Sequence, residues 1–444
     1  MTSTKQTINT QLTTITLLVV LCISFITQNY TITYLSMSFF LFWVLMNFSD
    51  LNAKAITGFF FLYYFIPLPN ISTYRGTIVY TTLYLYTIML LLAVLPLIFK
   101  FYIKRKAQKK RYVVINSHFK SMVSIHLCFV YLLVLFIYLK YGLVVVNQEI
   151  RFKIPTILGY LVKSSIYIPL FSVFFNRNKF SKQVIFKYIV LPLLPAIMIG
   201  SRGTVILILI SVAVLLIISK IELGKTFKLK TSSVWLQYKK YVYRLGIVVL
   251  MILHFFYYSR RFFSDKLLTN MGVIKRFFQS DSPLYLPILP LYTSFRETIG
   301  LANVIVKNDY QNTTTQYPLF FAEIFTILPG KQPAPGQIVG DFIGRNLDGG
   351  LTPNLLGGLY TDFGQYSVFG GLIFVLIIIK LYKRAVFSEY YKILYVITLT
   401  QYFHLFHRGF LKPEYIMAYI IIFFYFFILK IKDENSSHSI PVIT

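Results

Sequence analysis

The sequence predicts an all-α polytopic membrane protein with eleven or twelve transmembrane helices and one large extracytoplasmic loop. Three observations carry that fold class. Of 444 residues, 56% are hydrophobic and only 13% are charged, so a water-soluble fold could not cover the apolar side chains. The apolar residues fall into long runs of span length, which lipid rather than water solvates. Basic clusters recur between the runs with the asymmetry that fixes orientation in a bilayer.

The runs predict spans at 13–30, 33–49, 56–69, 77–99, 121–140, 154–176, 184–200, 204–220, 241–258, 355–380, 391–406 and 414–431. The third is short and ends in Pro67 and Pro69, which allows a re-entrant segment and gives the lower count. The first lacks a small-residue cleavage site and reads as a retained span. The resulting organisation is an N-terminal bundle over 1–258, an extracytoplasmic loop over 259–354, C-terminal helices over 355–432 and a polar tail over 433–444. Cys22 and Cys128 lie inside apolar runs, with no ligand spacing and no expected disulfide, and are predicted to be buried thiols.

The net charge of +29 is topological. If every predicted span crosses once, 27 Lys and Arg fall on one side, including the run 100–111, and seven fall in short loops opposite. That bias predicts cytoplasmic termini. No nucleic-acid-binding motif accompanies the charge, so nucleic acid is not an expected partner; membrane lipids are.

Acids are scarce, and eight of the fifteen lie between Asp265 and Asp362. The loop region therefore holds most general acid/base options. Its apolar stretches 283–295 and 317–330 predict helices at the membrane surface, and its Pro/Gly-rich stretches predict turns.

Several residues stand out. Gly200-Ser201-Arg202-Gly203 joins two spans with almost no loop, a turn that needs glycine. Arg202 then sits at the outer surface, either snorkelling to headgroups or clamping a phosphate beside a helix N-terminus. Arg260 and Arg261 follow the ninth span against the usual charge bias, and Arg296 with Glu297 lies in an apolar helix. Asp362 falls within a glycine-rich run near the outer third of the membrane, where an acid is costly and a functional candidate. It would serve as general base or neutralise an arginine. Glycines 357, 358, 364, 370 and 371 also fit close helix packing. His404 and His407 share a helix face next to Arg408, and no further ligands complete a metal site. Lys163 is mid-span and must face the bundle interior, with its partner open.

The GSRG turn opening a mid-chain span, the large outer loop and the segment LTPNLLGGLYTDFGQYSVFGG at 351–371 together resemble the bacterial oligosaccharide repeat-unit polymerases, the O-antigen and capsular polysaccharide polymerases of the Wzy family. The last segment matches through Thr352, Pro353, Gly358, Tyr360, Asp362, Phe363, Gly364 and Gly370. The resemblance implies a GT-C-like polymerase–ligase architecture in the bacterial cytoplasmic membrane. It implies an inverting, metal-independent glycosyltransferase without cofactors. Such an enzyme moves a growing glycan from undecaprenyl diphosphate onto the next lipid-linked repeat unit, making O-antigen, capsule or exopolysaccharide. A chain-length regulator and a flippase are partners the resemblance admits. Under it, Arg202, Arg260, Arg261, Arg296 and Arg408 are candidates to bind diphosphate. Asp362, Glu297, His404 and His407 are candidates for the base. Gly200, Ser201, Gly203, Thr352, Pro353, Gly358, Tyr360 and Gly364 would shape the motifs.

Competing readings differ in chemistry. A lipid-linked oligosaccharide flippase would show short loops and two similar halves, which this sequence lacks. A glycosyltransferase with an acidic pair in its first outer loop is disfavoured because residues 30–33 hold no acid. An O-antigen ligase shares the architecture and requires a lipid A core as acceptor.

Overall fold

A computed structural model describes residues 2–47, 51–69, 76–98, 111–113, 117–142, 144, 154–175, 182–220, 247, 251, 254, 282–327, 334–344, 351–428 and 431–433. The described chain is almost entirely helical. The first helices are α1 (Thr2–Ile26), α2 (Tyr30–Asn47), α3 (Leu51–Phe65), α4 (Tyr80–Ile98) and α5 (Ser117–Tyr141). Next come α6 (Thr156–Lys163), a 3-10 turn (Ser164–Tyr167), α7 (Ile168–Phe175), α8 (Lys182–Ile185), a π turn (Phe186–Val190), α9 (Leu191–Met198) and α10 (Arg202–Lys220). The second half holds α11 (Leu289–Lys307), α12 (Leu319–Phe325), α13 (Pro335–Phe342), α14 (Asn354–Phe363), a 3-10 turn (Gly364–Val368), α15 (Phe369–Ala385), α16 (Glu389–Arg408) and α17 (Pro413–Ile428).

Among the described residues, four segments are long and apolar enough to cross a membrane: Tyr30–Asn47, Tyr80–Ile98, His118–Tyr141 and Asn354–Ala385. Shorter apolar helices accompany them at Leu12–Ile26, Thr156–Phe171, Gln183–Met198, Gly203–Leu216 and Pro413–Ile428. Their outer faces carry large apolar side chains such as Ile26, Leu139 and Phe427, each at least 80% exposed. Water would penalise that surface, whereas lipid solvates it. The predicted span 241–258 lies almost wholly outside the described residues.

Local sequence explains the breaks in the helices. The π turn at 186–190 precedes Pro192, which has no N–H and whose ring crowds the carbonyl four residues back. The 3-10 turn at 164–167 is held by Ser165, whose hydroxyl donates to the Pro192 carbonyl at 2.8 Å. α15 packs against α4 and α16, and α14 against α11 and α16. α10 packs on α7 and α16. Gly371 permits the first of these crossings, since a Cβ there would lie 2.6 Å from the Met89 carbonyl oxygen.

The two ends of the bundle are distinct. At one end Tyr63 bonds His407 at 2.7 Å, tying the C-terminus of α3 to that of α16. At the other, β1 (Arg111–Val113) pairs antiparallel with β2 (Ile431–Asp433), beside the most basic stretch of the sequence. Cys22 and Cys128 correct an expectation: both are exposed, on the outer faces of α1 and α5 rather than in the core. An apolar run identifies a span but not which of its faces turns inward.

Candidate functional site

The residues singled out by the sequence separate into three settings. Arg296 lies on the buried face of α11, between Thr293 and Ile299, and is 2% exposed. Its guanidinium donates to the carbonyls of Pro67 at 2.6 Å and Gly76 at 3.3 Å. Both acceptors belong to the connection between α3 and α4. Two turns on, Asn303 accepts from the Val79 N–H and the Thr82 hydroxyl, both at 2.9 Å, capping the start of α4. Its amide donates to the Thr77 carbonyl at 3.1 Å. These side chains fasten α11 to the bundle. Arg296 is thus directed at backbone oxygens rather than at a shared anion site. Glu297 follows it, half-buried, and acts on it electrostatically.

Asp362 occupies the second setting. α12 begins at Leu319 after Pro318, whose side chain offers no acceptor to the free N–H groups. Asp362, at the end of α14, supplies both acceptors from a distance in sequence. Its two oxygens take the N–H groups of Leu319 and Phe320, each at 2.7 Å. A general base needs an open oxygen, and these two are directed into a helix terminus. The surrounding residues fix that geometry. Tyr360 donates to Asp309 at 2.8 Å, and the Asn312 N–H donates to the Thr361 carbonyl at 2.7 Å. Gly358 allows α14 to touch the end of α16, since a Cβ there would fall 2.0 Å from the Gly409 carbonyl oxygen. Pro353 flanks the same contact, Thr352 precedes it half-buried, and Gly364 ends α14 at φ +53°. Outside this corner, Tyr84, Gln311, Asp362, Phe363, Gln365 and Tyr366 line an open groove of about 710 Å³.

The third setting gathers charge. Lys163, at the end of α6, forms an ion pair with Glu414 in the first turn of α17; their side chains are 14% and 6% exposed. Thr204 donates to the other Glu414 oxygen at 3.3 Å and shares a 2.9 Å hydrogen bond with Ser201. Tyr167 donates to the Glu414 carbonyl at 2.8 Å. Thr204 lies in the first turn of α10, and Ser201 before it belongs to the GSRG turn. Its glycine Gly200 has φ +75°, and the N–H groups of Gly200 and Ser201 return to the carbonyls of Ile197 and Ala196, both at 2.8 Å. Arg202 is the first residue of α10, and its side chain lies outside the described residues. Gly203 has open space beyond its Cα.

The α16–α17 connection adds the remaining cations. Arg408 faces Glu323 of α12 at 3.6 Å, and its Nε is buried without a hydrogen-bond partner among the described residues. Lys412, half-buried, stands within electrostatic reach of Arg408, Glu414, Glu323 and Lys163. Burial, followed by the Arg408 charge, brings the Lys412 ammonium down to about 8. His404 joins this neighbourhood, with Nδ1 bonded to the Tyr415 hydroxyl at 2.7 Å. His407 turns instead to Tyr63.

Among the described residues, Lys163, Arg408 and Lys412 therefore meet two carboxylates, Glu323 and Glu414, leaving one positive charge in excess. That balance suits an anion, and the guanidinium provides donors in a fixed fork. Sequence reasoning found Lys163, Ser201, Arg408 and His404 but missed Glu323, Lys412 and Glu414 as a set. The signal was present in the KPE triplet at 412–414: both charge signs between two apolar spans. Arg260 and Arg261 lie outside the described residues. No protein-family model, no curated protein and no solved structure matches this chain.

Proposed function

We propose that this chain is a membrane glycosyltransferase that polymerises undecaprenyl-diphosphate-linked oligosaccharide repeat units into a surface polysaccharide. It would act on the outer face of a bacterial cytoplasmic membrane, with both termini in the cytosol. The observation that carries this reading is the cation excess assembled by α6, the GSRG turn, α12 and the 408–414 connection. The outermost of these groups, Lys163 and Glu414, stand 251 residues apart in sequence, yet the segments meet at one end of the bundle. The charge bias of the short loops supports an external placement of that end.

In this reading Arg408 and Lys412 grip the diphosphate of the donor. An acceptor sugar hydroxyl attacks the anomeric carbon, and a new C–O bond forms with inversion. The bond to the diphosphate oxygen breaks, and the leaving group keeps the electron pair. Preorganised cations stabilise that developing charge. The hydroxyl proton passes to a base, for which His404 is a candidate: Tyr415 fixes one ring nitrogen and the ring stands in the same neighbourhood as Arg408, Lys412 and Glu414.

The Lys163–Glu414 pair favours one second reading. Paired ionisable groups among apolar helices also serve ion-coupled transport, which would make the chain a flippase for the same lipid-linked glycans. Deleting the gene and resolving the surface glycans by electrophoresis separates the readings. Loss of the polymerase leaves single repeat units at the cell surface. Loss of a flippase leaves them facing the cytosol, and loss of a ligase leaves polymer unattached to lipid A. Unchanged polymer length in the deletion strain would overturn the proposal.

A further inference from the structure

We propose that Asp362 is a positioning residue, which sets the register of the anion-gripping cations by fixing α12. The inference rests on the reading of Arg408 and Lys412 as a diphosphate grip. A short chain of contacts carries it. Asp362 takes the first two N–H groups of α12, at 2.7 Å each. The carbonyl of Phe320, in that same turn, accepts the N–H of Leu411 at 2.9 Å, one residue before Lys412. Glu323 lies four residues after Leu319, on the same helix face, and meets Arg408 at 3.6 Å. One carboxylate thus holds the helix that aligns both the backbone beside the ammonium and the side chain opposite the guanidinium.

α12 depends on that hold. It has seven residues, too few to be stable as an isolated helix. Pro318 at its N-cap position makes no side-chain cap. The other side of the joint is fixed, because α14 is pressed onto Gly409 through Gly358 and tied to Asp309 through Tyr360. Asp362 therefore joins a rigid helix to a marginal one, and the marginal one carries the counter-ion of Arg408.

The test uses the full chain in lipid nanodiscs and two readouts. The first is binding of undecaprenyl diphosphate. Asp362→Ala is expected to weaken it about tenfold. Glu323→Gln is expected to change binding in the native background and to have no effect in the Asp362→Ala background, because the two act through one helix. Adding Pro318→Ser gives α12 a cap of its own and is expected to restore binding to Asp362→Ala, a rescue that a base could not receive. Should Asp362→Ala fail to fold, Asp362→Asn keeps one acceptor oxygen and carries the same cycle. The second readout needs no ligand: hydrogen exchange at the Leu319, Phe320 and Leu411 amides should accelerate in Asp362→Ala and slow again with Pro318→Ser. Unaltered exchange, additive effects of the two acidic variants, or native binding with lost turnover would each overturn the inference. Altered exchange in a chain that never binds undecaprenyl diphosphate would overturn the functional reading alone.

Discussion

Arg296 and Arg408 stand at the same end of the bundle, and their surroundings are opposite. Arg296 is 2% exposed and donates to two backbone carbonyls of the α3–α4 connection. Arg408 has a side chain 28% exposed and, among the described residues, one ion pair at 3.6 Å and no carbonyl acceptor. Carbonyls from the fold itself occupy the first guanidinium, which works as a fastener. The second is left with donor capacity in a neighbourhood that already has surplus positive charge. The lesson is that burial alone does not mark a functional arginine; the identity of its acceptors does.

The comparison can be broken most directly by removing each guanidinium. Arg408→Ala is expected to lower polymer formation on the order of 100-fold, as loss of one preorganised donor to a developing anion does, with little change in unfolding. Polymer length in cells and repeat-unit turnover in nanodiscs measure it. Arg296→Met should behave in the reverse way. It leaves the Pro67 and Gly76 carbonyls without this donor and should cost about 2–4 kcal/mol of stability. Denaturant unfolding in detergent would show it, while the folded fraction keeps its turnover. Arg296→Lys should rescue poorly, since one ammonium lacks the fork that reaches two carbonyls.

A pH titration sharpens the same contrast. Burial and Arg408 bring Lys412 down to about 8, so its charge is complete below that pH and lost as pH rises through it. Undecaprenyl diphosphate affinity should hold steady on the acid side of 8 and fall about tenfold above it, the worth of one charge-assisted contact. Lys412→Met should remove that limb. An unchanged limb in the variant would assign it to another group. The smallest effect is expected from Thr204→Val, which removes a long 3.3 Å hydrogen bond to Glu414 and a 2.9 Å one shared with Ser201 but leaves Lys163 in place. A stability loss of about 1 kcal/mol, read by thermal unfolding, would match one full side-chain hydrogen bond and one weak one.

The sequence made the apolar helices legible because hydropathy is a property of a continuous run. The corner around Gly200 was legible too, since a loop that short leaves only a turn requiring glycine, and Gly200 has φ +75°. Facing was not legible. Asp362 read as a costly acid within the outer third of the membrane, and only the fold shows that it accepts from the N–H groups of Leu319 and Phe320. Arg296 read as a partner of Glu297 and a candidate for binding diphosphate, and only the fold shows the α3–α4 carbonyls it donates to. Glu414 was passed over because its partner, Lys163, stands 251 residues earlier. Pairings across such distances leave no trace in local pattern or spacing.

The interrupted helix at 354–385 has a geometric consequence. A straight helix of 32 residues would be about 48 Å long, against roughly 30 Å of hydrocarbon in a typical bilayer. α15 with its 17 residues covers about 26 Å, nearly the full oily slab. The ten residues of α14 are then left to rise above it, and eight of them are buried by neighbouring protein instead of by acyl chains. α14 is consequently a protein-packed cap on one end of the span, and the break at Gly364 lets it lean onto α11 and α16 instead of prolonging α15 in a straight line.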